Sequence, residues 1–386
     1  MLEGQGAVGG SGTGGSGGSG KPKGKQATSA WGLASKLGCG LAALAAGAFC
    51  LLSGPRPVER HPDVDQALER ASVAIRREYN YSLALEHVEH AFGLAPEDAG
   101  VLQFYASVLL ALGHVERAWR HFRTVFDAAA AESLDPHFLQ QYVLALHRLG
   151  RVDELSEIWP RVVTTPGVKW KSFLQCPDLV DESLLDGALP FPEADGSRVA
   201  KLILDNRVEI QREFQEFLKK PDWDSDRYFA PNQDNDLVRG NEPRRWTELL
   251  LFNKGLWDYQ HCAMFPTACK IFKGLVEVEG ILHGKRSGQV SLLKLEEGTA
   301  LVPHFGTVNW RYTAQFGLLV PDNVWIHVGG QSRTFKQGEL TLLDDSFLHS
   351  VEHNGTGPRV TLFVNFFHPR ASPMTYDEWL LRKDYS

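Results

Sequence analysis

The apolar residues of this 386-residue chain change their spacing near residue 220, from the three-and-four step of a helix to the alternation of a strand. From about Asp63 to Pro160 they recur at helical intervals, and strand signals are scarce. Residues 199–219 form one more amphipathic helix, with Val199, Leu202, Ile203, Val208, Ile210, Phe214, Phe217 and Leu218 on its apolar face. Beyond it, Gln289–Leu295, Ala300–Val302, Tyr312–Val320, Val324–Val328, Leu340–Leu343 and Val360–Phe367 alternate or form short apolar runs. Turn signals such as Pro321-Asp322-Asn323 and Gly329-Gly330 bound them. Many short strands at this spacing predict an antiparallel sandwich or jelly roll. The chain therefore reads as multidomain: a helical part at 62–170, a Pro- and acid-rich connector at 171–197, and an all-β part with flanking helices at 198–386.

The helical part repeats itself. Tyr81-Ser82-Leu83-Ala84 with Phe92 returns about 34 residues later as Val115-Glu116-Arg117-Ala118 with Phe126, and Leu112-Gly113 returns as Leu149-Gly150. Small residues at Ala84 and Ala118 let paired helices approach, while Phe and Leu fill the grooves. In period and pattern this resembles tetratricopeptide repeats. Such an array either offers a concave surface to an extended peptide or serves as a helical spacer. The strings His87–Glu89 and His114–Glu116 lie on helices, where i and i+2 point apart, and read as solvated surface.

Residues 1–36, Gly/Ser-rich from 4 to 20, read as a disordered cytosolic tail. Leu37 to Gly54 is uncharged over about 18 residues, the lower limit for crossing a bilayer. Lys21, Lys23, Lys25 and Lys36 precede it against a single acid, Glu3, and Arg56 and Arg60 follow it with Glu59, Asp63 and Asp65. That asymmetry predicts a transmembrane signal anchor at 37–54 in a single-pass type II membrane protein of the endoplasmic reticulum or another endomembrane, its C-terminal part lumenal. A signal peptide cleaved near Ala45-Ala46-Gly47 and a buried helix, against which the lack of a polar face argues, are the competing readings. A balance of 40 Lys+Arg against 47 Asp+Glu excludes a dedicated nucleic-acid binder, and five Cys exclude a disulfide-dense mini-fold.

In a jelly roll, distant strands bring ligands together at the mouth. His304 follows a strand, His349 closes the phrase Leu342–His349, and Arg359 opens the next strand. Imidazoles hold Fe(II) and a guanidinium forks onto a carboxylate, so this order suits a ferrous 2-oxoglutarate oxygenase. The usual third ligand, a carboxylate two residues after the first His, is replaced by Gly306. On spacing alone the residues stop at a metal-binding jelly roll.

The motifs carry further. Pro303–Arg311, Gly317–Pro321, Leu343–His349, Arg359 and Val364–Pro369 closely resemble the aspartyl/asparaginyl β-hydroxylase family, across roughly residues 200–382. The preceding tail, span and repeats also look like its membrane-anchored members. The resemblance implies a 2-oxoglutarate oxygenase whose iron is held by two His, with Gly at the carboxylate position. Residue by residue, it makes His304 and His349 the iron ligands and Arg359 the anchor for the distal carboxylate of 2-oxoglutarate, with Fe(II) and O2 as the other reactants. It also implies a disulfide between Cys262 and Cys269. The triplets starting at Asn80 and Asn354 are glycosylation candidates.

Where the family places Arg and His on the next strand, this chain has Thr313 and Gln315. The family's Ser on the preceding strand corresponds to Leu293, with Ser291 two residues away on the same face. Gln315 keeps a hydrogen-bonding group but no charge, and Thr313 replaces no cation. Each lost charge-assisted hydrogen bond costs about 1.5–3 kcal/mol, so one of two carboxylate-binding patches is thinned. Arg311 is a candidate for an acidic substrate side chain, with an exposed salt bridge the alternative, and Asp344 and Asp345 are expected to shape the loop before His349, with completion of the iron shell by either the lesser alternative. The implied function is β-carbon hydroxylation of Asp or Asn in a protein or peptide held by the repeats. The alternative is a metal-holding jelly roll that does not turn over, joined to a repeat scaffold.

Overall fold

The computed structural model describes residues 61–383, apart from 79, 131–132, 233, 241 and 243. The expected tail and span, 1–36 and 37–54, lie outside them. Among the described residues no helix is long and apolar enough to cross a membrane. The membrane anchor and the lumenal, single-pass placement derived from it are corrected accordingly.

Six helices form three antiparallel pairs: α1 (Pro62–Glu78) with α2 (Tyr81–Leu94), α3 (Ala99–Ala111) with α4 (Val115–Ala128), and α5 (Pro136–Arg148) with α6 (Val152–Thr164). Local chemistry sets where they start. Asn80, Asp98 and Asp135 each accept a backbone N–H of the first turn, and Pro136 takes the position whose N–H has no helical partner. The repeated Leu-Gly marks where α3 and α5 stop. Gly113 and Gly150 adopt positive φ of 79° and 67°, and the next residues, His114 and Arg151, donate back to Leu109 and Leu146. Ala84 and Ala118 are fully buried, where a larger side chain would separate the pairs.

The expected helix over 199–219 is two, α7 (Arg198–Asp205) and α8 (Arg207–Leu218). They break at Asn206, whose amide donates back to the Leu202 carbonyl. The break rotates Val208 out of the apolar face, leaving it 75% exposed.

The β part holds two antiparallel sheets. The larger runs β1 (Ala230–Pro231), β2 (Trp246–Asn253), β4 (Gln289–Leu295), β11 (Arg359–Phe367), β6 (Arg311–Leu319) and β9 (Leu340–Leu343), with β3 (Leu256–Trp257) beside β2. The smaller runs β5 (Ala300–His304), β10 (His349–His353), β7 (Val324–Val328) and β8 (Gln331–Thr334). This is the double-stranded β-helix, or jelly roll. Alternate residues of the large sheet, among them Leu292, Ala314, Phe316, Leu362 and Val364, pack with Val199, Ile203, Phe214 and Phe217 of α7 and α8. The intervening residues share a second face with Arg359, Thr361, Ser291, Thr313 and Gln315. Leu295 and Leu343 of the large sheet pack with Ile326, Val328 and Val351 of the small one. The helical and β parts belong to one compact unit.

Candidate metal centre

Strand pairing makes the centre. His304 ends β5, His349 opens β10, and the two are direct partners in the antiparallel register. Their ring centroids lie 4.0 Å apart. Each ring is locked the same way: His304 Nδ1 sits 2.8 Å from the Val302 carbonyl oxygen, and His349 Nδ1 is 2.8 Å from that of Phe347. A carbonyl only accepts, so Nδ1 carries the proton and Nε2 keeps its lone pair for a metal. Loss of water around the rings pulls both pKa values below the ordinary imidazole value, His304 furthest, with the neighbouring His349 adding to the shift. Both imidazoles are therefore neutral at neutral pH, the state that binds a cation.

Gly306 stands beside them. A Cβ there would lie 2.7 Å from the Asp345 carbonyl oxygen and 2.8 Å from Asp345 Oδ1, so this position has room for no side chain. Asp345 instead lies against it, and Gly306 N–H donates to the Asp345 carbonyl at 2.7 Å. Arg311 Nη2 donates to Asp345 Oδ2 at 2.5 Å, and Thr313 Oγ1, whose one hydrogen goes to the nearer Asn365 Oδ1, lies 3.3 Å from the same atom. Asp345 Oδ1 is buried without a hydrogen-bond partner. The two imidazole lone pairs, side by side, suit a transition-metal ion. Among the described residues, no three His, Cys, Asp or Glu side chains converge as a complete ligand cage.

Arg359 supplies a different chemistry. It is 2% exposed, lies over the Phe335 ring at 4.0 Å, and donates to Gln315 Oε1 and, at 3.4 Å, to Thr361 Oγ1. Its Nε has no partner, and burial pulls its pKa down to about 9. No carboxylate among the described residues forms an ion pair with it. A buried cation with an open donor suits an anion.

The other candidates fall as follows. Gln315 uses its oxygen to accept from Arg359. Thr313 donates to Asn365 Oδ1 at 2.7 Å. Ser291 is fully buried, and Gln289 donates to its Oγ at 3.1 Å. Arg311 is neither an exposed pair nor open to a substrate through Nη2: it is buried and bound to Asp345, because the register sets it opposite the loop before His349. Asp344 accepts from Ser346 N and Oγ, the turn expected of it. Cys262 and Cys269 are joined by a disulfide with Cα atoms 5.7 Å apart. Asn80 and Asn354 are exposed, but Asn80 spends its oxygen on the cap of α2.

Three polar groups, Glu248 and Gln175 buried and Arg148 half-buried, escaped the sequence. Glu248, on β2, accepts from Gln289 at 2.9 Å, and desolvation pushes its pKa up to about 8. A Glu inside the apolar run Trp246–Phe252 is the one visible signal. Gln175 and Arg148 reach the centre from outside the β part, and nothing local in the chain announces them.

Residues 205–369 match the model of a family described as Aspartyl/Asparaginyl beta-hydroxylase. Aspartate beta-hydroxylase domain-containing protein 1 of Mus musculus is 31% identical over 141 residues, which is 34% of this chain and 38% of that protein. Aspartyl/asparaginyl beta-hydroxylase of Mus musculus is 27% identical over 146 residues, 38% of this chain and 19% of that protein. The matched part thus spans little more than a third of the first curated relatives. Among solved structures, a predicted oxalate decarboxylase from Thermotoga maritima is similar at a TM-score of 0.25 and 15% identity, covering 36% of this chain and 93% of that one.

Proposed function

We propose that this chain, whose residues 205–369 form a domain of the aspartyl/asparaginyl β-hydroxylase family, is an Fe(II)- and 2-oxoglutarate-dependent dioxygenase that hydroxylates the β-carbon of Asp or Asn in protein substrates. The observation that carries this reading is the pair His304 and His349, register partners with both Nδ1 atoms locked and both Nε2 atoms left for a metal. Iron held there supplies oxygen activation coupled to decarboxylation of 2-oxoglutarate.

The remaining chemistry belongs to the chain. His304 and His349 would hold the ion as neutral ligands, and their backbone bonds fix the ring planes before it arrives. Asp345, kept in place by Arg311, would offer its unpartnered Oδ1 to a bound water. Arg359 would take the distal carboxylate of 2-oxoglutarate, with Gln315 and Thr361 steadying the guanidinium. Leu295, Leu343 and the Phe335 ring keep that end dry, which strengthens the ionic contact. Gly306 keeps a side chain out of the space beside the ligands.

Incubation of the full chain with Fe(II), 2-oxoglutarate and an Asp- or Asn-containing peptide tests this. Succinate formed together with a one-oxygen mass gain on the peptide is expected; no succinate under any of these conditions contradicts it. A second reading, metal held without turnover, draws on Thr313 and Gln315, neutral groups already engaged with Asn365 and Arg359. Tight Fe(II) binding with no measurable 2-oxoglutarate affinity would favour it.

A further inference from the structure

Both neighbours of His304 are held by the last two residues of one repeat helix. β5 ends its sheet, with β10 on one side and on the other only a bridge from Val238 to Leu301 and the Arg239 N–H on the Ala300 carbonyl. Beyond that bridge Arg148, the last residue of α5, donates from Nε to the Pro303 carbonyl at 3.0 Å. Its Nη1 donates to the Leu110 carbonyl of α3 at 3.3 Å, so the guanidinium ties two repeats to the strand that carries His304. His147 packs edge-on against Phe305, 6.2 Å between ring centres, and Phe305 packs on the helical core rather than within the β part.

The same helix reaches the other histidine through the segment 172–181. Gln140 of α5 donates to the Cys176 carbonyl at 2.8 Å, and His147 Nε2 lies 2.8 Å from the Phe173 carbonyl oxygen. From there Leu174 accepts from Leu348 N–H at 2.8 Å, Gln175 forms a bridge with Phe347, and its amide donates to Ser346 Oγ at 2.9 Å. Leu179 N–H donates to the Thr307 carbonyl at 2.9 Å, just past Gly306. Trp170 and Cys176 are buried in the helical core. What reads in the sequence as a connector is a strap stitched to both ligand-bearing loops.

We infer that Arg148 is a positioning residue for the metal pair, and that α5 with the strap sets the distance between the two imidazoles. The inference rests on the proposed function only in taking these histidines as metal ligands. Charge and position predict opposite outcomes when Arg148 is changed. A cation beside His304 repels a metal ion, so if charge were all that mattered, its loss would tighten metal binding. If it holds the strand in place, its loss weakens binding by the roughly 10- to 100-fold that supporting partners of metal ligands contribute.

The test is a Co(II) titration of the full chain followed by the visible absorption of the coordinated ion. Arg148→Met keeps the stem and removes the donors; Arg148→Lys keeps one donor. Gln175→Leu cuts the strap at Ser346, and Arg151→Met loosens an exposed ion pair of the repeats that touches neither loop. Affinity is expected to fall in the order wild type, Lys, Met, with Gln175→Leu also weakened and Arg151→Met unchanged, all melting cooperatively. Unchanged or tighter Co(II) binding in Arg148→Met and Gln175→Leu overturns the inference, as does an equal loss in Arg151→Met. A chain that binds Co(II) as expected yet turns over no 2-oxoglutarate would sink the hydroxylase reading and leave the positioning role standing.

Discussion

Glu248 shows what burial does to one residue. Desolvation keeps its carboxyl protonated to about pH 8, whereas in the unfolded chain it titrates near 4.5. Between those values the folded state holds the extra proton, so stability falls as pH rises through that window. Glu248→Gln keeps an oxygen for Gln289 and removes the titration. The variant should melt above the wild type at pH 8 and higher, with the difference vanishing toward pH 4.5; parallel melting curves across that range would contradict it. Single residues of the centre were unevenly legible. His304, His349 and Arg359 declare themselves by type and order along the chain. The Arg311–Asp345 pair does not, because both partners also suit a surface, and only register turns them inward to face each other.

At the level of elements, alternation or a short apolar run bounded by turn residues marked six of the strands and missed others. Trp246–Asn253 is buried on both faces over most of its length and shows no alternation. His349–His353 has two histidines and a glutamate in five residues and resembles a loop, yet its pairing with both β5 and β7 is what brings His349 to His304. The repeats were legible because Ala84 and Ala118 mark the first two pairs and the Leu-Gly stops mark the second and third. That regularity has a cost that can be measured. Ala118 is fully buried where helices meet, so Ala118→Leu should destabilise the chain by about 1–3 kcal/mol through overpacking. A urea midpoint shifted down at unchanged slope is expected; an unchanged midpoint would show that the repeats do not pack through this position.

Across the whole molecule, the helical and β parts meet at the ligand loops. Arg148 and Pro303 are 155 residues apart in sequence, and no local pattern can announce such a contact. The sequence separates the two parts by a change of period, and the structure joins them where the candidate chemistry sits. The most direct measurement is an anaerobic titration of Fe(II) and 2-oxoglutarate into the full chain, following the charge-transfer absorption that arises only when 2-oxoglutarate chelates iron. The band should appear in the wild type, disappear in His304→Ala and His349→Ala, and need about 10- to 100-fold more 2-oxoglutarate in Arg359→Met, the loss expected of about 1.5–3 kcal/mol. A band that survives in either histidine variant would contradict a metal held between His304 and His349, and a band that never forms in the wild type would contradict 2-oxoglutarate chelation at that metal.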